Sequence, residues 1–163
     1  MLAAALLRGN FVLRSGQPSH FYIDKYQLST KPSLLRRLAR ALAELVPPEV
    51  DRLAGPELGA IPFVTALSLH LGVPCAFIRK DPKDYATSHS IEGELYPGER
   101  VCLIEDVLTT GTEALRAASI LRAHGANVLG VIGIVDREEG ASSNLAAAGL
   151  HFAALFRRSE LGF

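Results

Sequence analysis

Two adjacent acids, Glu105 and Asp106, follow an apolar run at residues 101–104 and precede a hydroxyl-rich turn, Thr109-Thr110-Gly111-Thr112. A carboxylate pair of this kind accepts hydrogen bonds from sugar hydroxyls or holds a divalent cation such as Mg²⁺. Three hydroxyls and the first N–H groups of a helix, with Gly111 allowing close approach, make a cradle for a phosphate. The plainer alternative is that Thr110 or Thr112 is an N-cap and the acids only solvate a strand end. A cap needs one hydroxyl, and here three surround a glycine. No G-x-x-x-x-G-K-[ST] occurs, which argues against a nucleoside triphosphatase.

Two further charged segments carry possible chemistry. Arg79, Lys80 and Lys83 put three cations in five residues, at the start of a long polar stretch directly after an apolar run. That pattern fits an anion-binding lid, and equally a solvated surface loop. Asp136 and Arg137 follow another apolar run, where they either face a ligand or pair with neighbouring charges.

The elements that must position these groups can be read from periodicity. Residues 101–104 form a short continuous apolar run, the pattern of a strand buried on both faces in a parallel sheet. Its carboxyl end is the edge at which open α/β sheets hold ligands. Residues 52–54, 73–78, 127–135 and 151–155 read as further strands. Residues 32–46, 60–71, 112–124 and 142–148 read as helices, the second interrupted early by Pro62. In the helix at 112–124, Leu115, Ala118 and Leu121 mark the inner face. Residues 11–13 and 20–23 read as a hairpin around Ser15-Gly16-Gln17-Pro18-Ser19, and residues 1–7 as the last turns of a helix stopped by Gly9 or Asn10. The alternation from residue 50 onward predicts an α/β domain with a mainly parallel sheet.

Composition narrows the function classes. Seventeen basic and seventeen acidic residues balance, so nothing here draws the chain to nucleic acid or to an anionic membrane. Hydrophobic residues make up 48%, yet no run approaches the ~20 residues of a membrane span, and residues 2–7 are too short for a signal peptide. A cytoplasmic protein is expected. Cys75 and Cys102 stand alone in apolar runs and read as buried, reduced thiols, and the histidines lack zinc-ligand spacing.

VCLIEDVLTTGT resembles the phosphoribosyl pyrophosphate (PRPP) signature of type I phosphoribosyltransferases. The resemblance implies that Glu105 and Asp106 bind the ribose hydroxyls of PRPP, and that Thr109, Thr110, Gly111 and Thr112 bind its 5′-phosphate. RKDPKDYATSHSIEG is similar to the family's R-K-x-x-K-D-[HY]-G-T-x-x-x-I-E-G loop, which gives Arg79, Lys80 and Lys83 to the pyrophosphate. The pattern F-x-L-x-S-G-x-x-S-x-x-Y-x-D and the DREEG segment resemble orotate phosphoribosyltransferases in particular. They imply orotate contacts from Arg14, Tyr22, Ile23 and Arg137, the last on the orotate carboxylate, which a planar guanidinium suits. Asp106, Glu105 and Lys83 are then the groups closest to the chemistry. The chain departs from the pattern at Gly59, where some orotate enzymes carry a lysine, at Tyr85 in place of a histidine, and at Ala86 in place of a glycine.

The resemblance further implies a type I phosphoribosyltransferase fold: an α/β domain, mainly parallel, its sheet flanked by helices, with a small N-terminal hood hairpin. It implies one domain over 1–163, with the hood at roughly 1–30 plus the C-terminal end and the core at roughly 31–150. Also implied are Mg²⁺ held mainly through PRPP with no direct protein ligand, and a homodimer with shared active sites. The expected reaction is transfer of phosphoribose from PRPP to orotate. A transferase for another base and a non-catalytic PRPP-binding regulator are the alternatives.

Overall fold

The computed structural model describes residues 6–12, 16, 18–80 and 90–161, with the backbone alone for 6, 7, 19, 21–23 and 161. Strands β1 (Leu6–Val12) and β2 (Pro18–Ile23) pair antiparallel, Leu7 opposite Tyr22, with a register shift between Arg8 and Phe11. The hairpin is as expected, but Leu6–Val12 is strand where a helix end was predicted, and Gly9 and Asn10 lie inside it. Pairing with β2 on either side of that shift holds the segment extended, and this non-local contact overrides the local helical pattern. Residues 1–5 lie outside the described part.

Helix α1 (Lys25–Ser29) was not anticipated. Its N-cap Asp24 accepts the Tyr26 N–H at 3.0 Å. Asp24 followed three residues later by Gln27 is the capping-box spacing that could have revealed it. Helix α2 (Pro32–Ala43) buries Leu38, Ala39 and Leu42 and leaves Arg36, Arg37 and Arg40 exposed, as its amphipathic pattern requires.

The main sheet contains β3 (Arg52–Pro56), β4 (Cys75–Ile78), β5 (Ile91–Glu92), β6 (Arg100–Leu108), β7 (Asn127–Asp136) and β8 (His151–Arg157) in the order β5-β4-β3-β6-β7-β8. All neighbours are parallel except β4 and β5. Helix α3 (Ile61–Leu71) joins β3 to β4. Helices α4 (Thr112–Ala123) and α5 (Ala141–Ala147) follow β6 and β7, and a 3-10 turn, Arg158–Leu161, ends the described chain. Pro62 does not interrupt α3: it sits in the first turn, where its missing N–H has no intrahelical partner to lose.

Both faces of the sheet are covered, and β6 alternates between them. Val101 and Leu103 pack with Ala114, Ala117, Ala118 and Leu121 of α4, whereas Cys102 and Ile104 pack with Leu38 and Leu42 of α2 and Phe63 and Leu67 of α3. Leu115, assigned to the inner face of α4, is only half-buried, and Ala114 and Ala117 take that place. Close approach of the helix to the sheet favours the smaller side chains. Cys102 is buried and Cys75 half-buried, both free thiols; burial pushes the Cys102 thiol up to about 12. At the opposite edge from the cleft, Arg52 donates to both carboxylate oxygens of Glu99 at 2.7 and 2.9 Å, clamping the start of β3 to the turn before β6. Among the described residues no helix is long and apolar enough to cross a membrane.

Candidate active site

Chain order in the sheet reverses between β3 and β6: from β3 the strands run to β4 and β5, from β6 to β7 and β8. Helices on opposite sides of such a switch point diverge and leave a crevice at the carboxyl ends of the strands. Here β3 stays paired with β6 only to Ala54–Leu103, whereas β6 and β7 remain paired to Leu108–Asp136. The sheet therefore opens on one side of β6 just before Glu105 and Asp106. An open cleft of about 690 Å³ lies there, in the size range of small-molecule sites.

Strand β6 continues to Leu108, so the two acids sit within the strand and not at its carboxyl end as predicted. Both are buried, 7% and 6% exposed. Glu105 Oε1 accepts the Asp106 N–H at 3.0 Å and Asp106 Oδ1 accepts the Val107 N–H at 2.6 Å. Each carboxylate thus spends one oxygen on the backbone. Glu105 Oε2 and Asp106 Oδ2 are buried without an aligned hydrogen-bond donor. Burial, then the neighbouring Asp106 charge, push the Glu105 carboxyl well above its ordinary range.

The turn after β6 leads into α4 through Gly111, which is the N-cap in a left-handed conformation at φ 80°. Neither threonine hydroxyl caps the helix, contrary to the plainer reading; Thr110 and Thr112 instead hydrogen-bond each other at 2.9 Å. The amide of Ala141 donates to the Thr109 carbonyl at 3.0 Å and the Asn144 side chain to the Thr110 carbonyl at 2.9 Å, so α5 braces the turn from outside. The first N–H groups of α4 have no intrahelical acceptors by geometry and carry the positive end of the helix dipole. Thr109 and Thr110 line the cleft.

Cations reach the cleft from three directions. Lys80 lines it just after β4, its backbone N–H held by Glu57 Oε1 at 2.6 Å. Arg79 stands beside it, within 3.3 Å of Glu92, its carbonyl accepting from Arg116 of α4 and its N–H donating to the Ser90 carbonyl. The stems of the basic loop are therefore tied together. Arg137 lines the other end after β7, its Nε 3.0 Å from Glu139 as an ion pair without hydrogen-bond alignment. Asp136 accepts the Glu138 N–H at 2.8 Å and Arg137 pairs with Glu139, so the neighbouring-charge pairing is present at Arg137, which also lines the cleft.

Lys25, from α1, is the cleft cation that sequence reasoning missed. Its Nζ lies 2.5 Å from Asp106 Oδ2, with about a third of the side chain exposed. Burial works against its charge, but the close Asp106 carboxylate outweighs that and the lysine pKa is raised. Gly59 explains how the ammonium gets there. A Cβ at that position would run into the Asp106 carboxylate and lie 2.7 Å from Lys25 Nζ.

The cleft thus gathers Glu105, Asp106, Thr109, Thr110, Lys80 and Arg137. Arg14 and Lys83, together with Tyr85 and Ala86, lie outside the described residues, and Tyr22 and Ile23 are on β2, where only the backbone is described.

Known proteins similar to this chain point to one family. The phosphoribosyl transferase domain matches residues 26–148. Orotate phosphoribosyltransferase of Pyrococcus horikoshii is 47% identical over 156 residues, 94% of this chain and 84% of that protein. Among solved structures, orotate phosphoribosyltransferase of Mycobacterium tuberculosis in complex with PRPP superposes with TM-score 0.80 at 30% identity, covering 94% of this chain and 90% of that one. UMP synthase of Leishmania donovani superposes with TM-score 0.83 at 35% identity over 96% of this chain, which spans only 34% of that longer protein. With its sheet order, its acidic doublet at the switch point and these matches together, the chain belongs to the type I phosphoribosyltransferase family, among the orotate phosphoribosyltransferases.

Proposed function

We propose that the protein transfers the phosphoribosyl group of PRPP to orotate, giving orotidine 5′-monophosphate and pyrophosphate, a step of pyrimidine synthesis. The observation that carries this is the pair of buried acceptor oxygens, Glu105 Oε2 and Asp106 Oδ2, beside a phosphate-binding turn at the switch point of the sheet. Glu105 Oε2 has no donor and Asp106 Oδ2 meets only the Lys25 ammonium; buried acceptors left short of donors are costly, and the two ribose hydroxyls of PRPP can supply them.

The residues then take these roles. Glu105 and Asp106 hold the ribose, and Thr109, Thr110, Gly111 and Thr112 with the start of α4 hold the 5′-phosphate. Lys80, Arg79 and Lys83 take the pyrophosphate, and Arg137 the orotate carboxylate through its terminal nitrogens, with Arg14, Tyr22 and Ile23 around the ring. Ordering both substrates in line lets the orotate ring nitrogen attack the anomeric carbon as the bond to the pyrophosphate oxygen breaks. The electron pair of that bond leaves with pyrophosphate, and the cations of the loop stabilise its charge. No protein nucleophile is required.

Mg²⁺ fits this site as a cation brought by the substrate. Among the described residues no group of three or more carboxylates, histidines or cysteines is placed to hold a metal. Mg²⁺ commonly binds through one or two carboxylates plus substrate phosphates and water. Glu105 and Asp106 are the side chains near which PRPP would hold it, and its charge would assist departure of pyrophosphate. We take the chain as a single domain of 1–163 with the β1–β2 hairpin as part of a hood, acting as a cytoplasmic homodimer whose lid residue Lys83 serves the partner's site.

The test is pyrophosphate release from PRPP and Mg²⁺ with orotate, uracil, adenine and hypoxanthine in parallel. Release with orotate alone is expected. Turnover of a purine would assign another base, and PRPP binding without release for any base would make the protein a sensor.

A further inference from the structure

We propose that Lys25 is a positioning residue for the phosphoribosyl donor, acting through Asp106. The inference rests on PRPP being the substrate and adds a residue to its site. Its ammonium is 2.5 Å from Asp106 Oδ2, the oxygen that has no aligned hydrogen-bond donor, while Oδ1 is held by the Val107 N–H. The carboxylate is therefore fixed at two points, one on its own strand and one on a helix much earlier in the chain.

Three observations separate this from an ordinary surface pair. The carboxylate is 6% exposed and adjoins a second buried carboxylate, so an uncompensated charge here is expensive and the pair would repel a polyanion. Lys25 lines the cleft and keeps about a third of its side chain in solvent, so its ammonium faces both the acids and an incoming ligand. And the backbone is shaped for the contact: any side chain at position 59 would collide with the Asp106 carboxylate and crowd the Lys25 ammonium. Lys25 thus sets the orientation of the ribose-binding carboxylate before the donor arrives and lowers the negative charge that the donor meets. Orotate, held at the far end by Arg137, does not depend on it.

The test is a cycle of Lys25→Met, Asp106→Asn and the double variant, with PRPP affinity measured by calorimetry in the presence of Mg²⁺ and without orotate, and folding checked by thermal melting. Methionine keeps the length of the lysine stem, and the double variant removes the unpaired buried carboxylate that could unfold the single one. Lys25→Met should weaken PRPP about tenfold, a modest value for a partly exposed partner. In steady state it should raise KM for PRPP while KM for orotate stays within about twofold. The double variant should bind PRPP no more weakly than Asp106→Asn alone, because Lys25 has lost the group through which it acts. Lys25→Met binding PRPP like the wild type, or losses that simply add, would overturn the role of Lys25 alone. Absence of PRPP binding by the wild-type protein would instead overturn the substrate reading and this inference with it.

Discussion

Replacing Gly59 by alanine tests the site through a residue that makes no contact with substrate in the proposed reaction. The added methyl would run into the Asp106 carboxylate and lie 2.7 Å from both its carboxyl carbon and Lys25 Nζ, closer than unbonded carbon tolerates. Overpacking typically costs about 1–3 kcal/mol. The colliding atoms here are the ends of side chains, which can rotate away without moving the sheet, so the low end applies, about 1 kcal/mol. For a chain of this size that lowers Tm by about 2–4 °C. The functional cost is larger. Asp106 can yield only by leaving Lys25 and loosening its 2.6 Å bond to the Val107 amide, and a displacement of about 1 Å at a reacting group is worth on the order of 100-fold in kcat/KM. That loss corresponds to about 2.7 kcal/mol of transition-state binding, more than the loss of stability. The assay is orotate-dependent pyrophosphate release across a PRPP series, beside a melt of the same preparation. A variant that melts a few degrees lower but retains kcat/KM within about threefold would refute the argument that the Asp106 position is critical.

Glu105→Gln should flatten the pH dependence of stability. Because the folded state raises this carboxyl pKa, its stabilising contribution is complete below the unfolded value of about 4.3 and is lost as pH rises through the folded value. The amide stays neutral, so the variant should gain Tm relative to wild type from pH 5 to 9 while losing activity; parallel melting curves would count against a buried proton on Glu105. Arg137→Lys should raise KM for orotate far more than KM for PRPP, since an ammonium cannot offer paired donors to a carboxylate, and equal effects on both would remove the assignment. Lys83→Ala and Arg137→Ala, each nearly inactive, should recover activity when unfolded and refolded together, because half the random dimers are mixed and each mixed dimer holds one intact site, about a quarter of all sites. A refolded mixture no more active than its parts, with subunit exchange verified by mass, would assign Lys83 to its own subunit. Removal of Mg²⁺ by chelation should weaken PRPP binding by at least an order of magnitude, and unchanged affinity would show that the protein alone neutralises the donor.

What the sequence made legible was whatever depends on neighbours in the chain. The doublet Glu105-Asp106, the threonines and Gly111 follow one another, and their strand and helix were readable from a few residues on either side. The strand ran four residues further than its apolar run because pairing with β7 carries the polar positions along. Gly111 displaced the threonines as N-cap because a left-handed turn there satisfies the path into α4. The contacts that bridge distant segments were not readable. Nothing local says that residues 6–10 extend the first strand of the hairpin, or that residue 25 meets residue 106 across a glycine at 59. Lys25 is one of seventeen basic residues, and only the packing that sets it beside Asp106 in the cleft singles it out.

That packing also bears on how an acidic wall can receive a polyanion. Among the described residues lining the cleft, Glu57, Glu105, Asp106, Glu113 and Glu139 are five acids against three cations, Lys25, Lys80 and Arg137. Taken as bare charges they would repel PRPP. Most are already engaged: Asp106 with Lys25, Glu139 with Arg137, Glu113 with Arg116, and Glu57 with the Lys80 amide. Glu105 is pushed towards its neutral form by burial and by Asp106. The acids therefore act less as a field than as clamps that hold cations and a backbone donor in place, and they leave the described lining without net positive charge. In the proposed reaction the missing charge must come with the substrate as Mg²⁺. A cleft neutralised in this way would bind the metal-loaded donor in preference to other phosphates, which makes the charge pairing itself a source of selectivity.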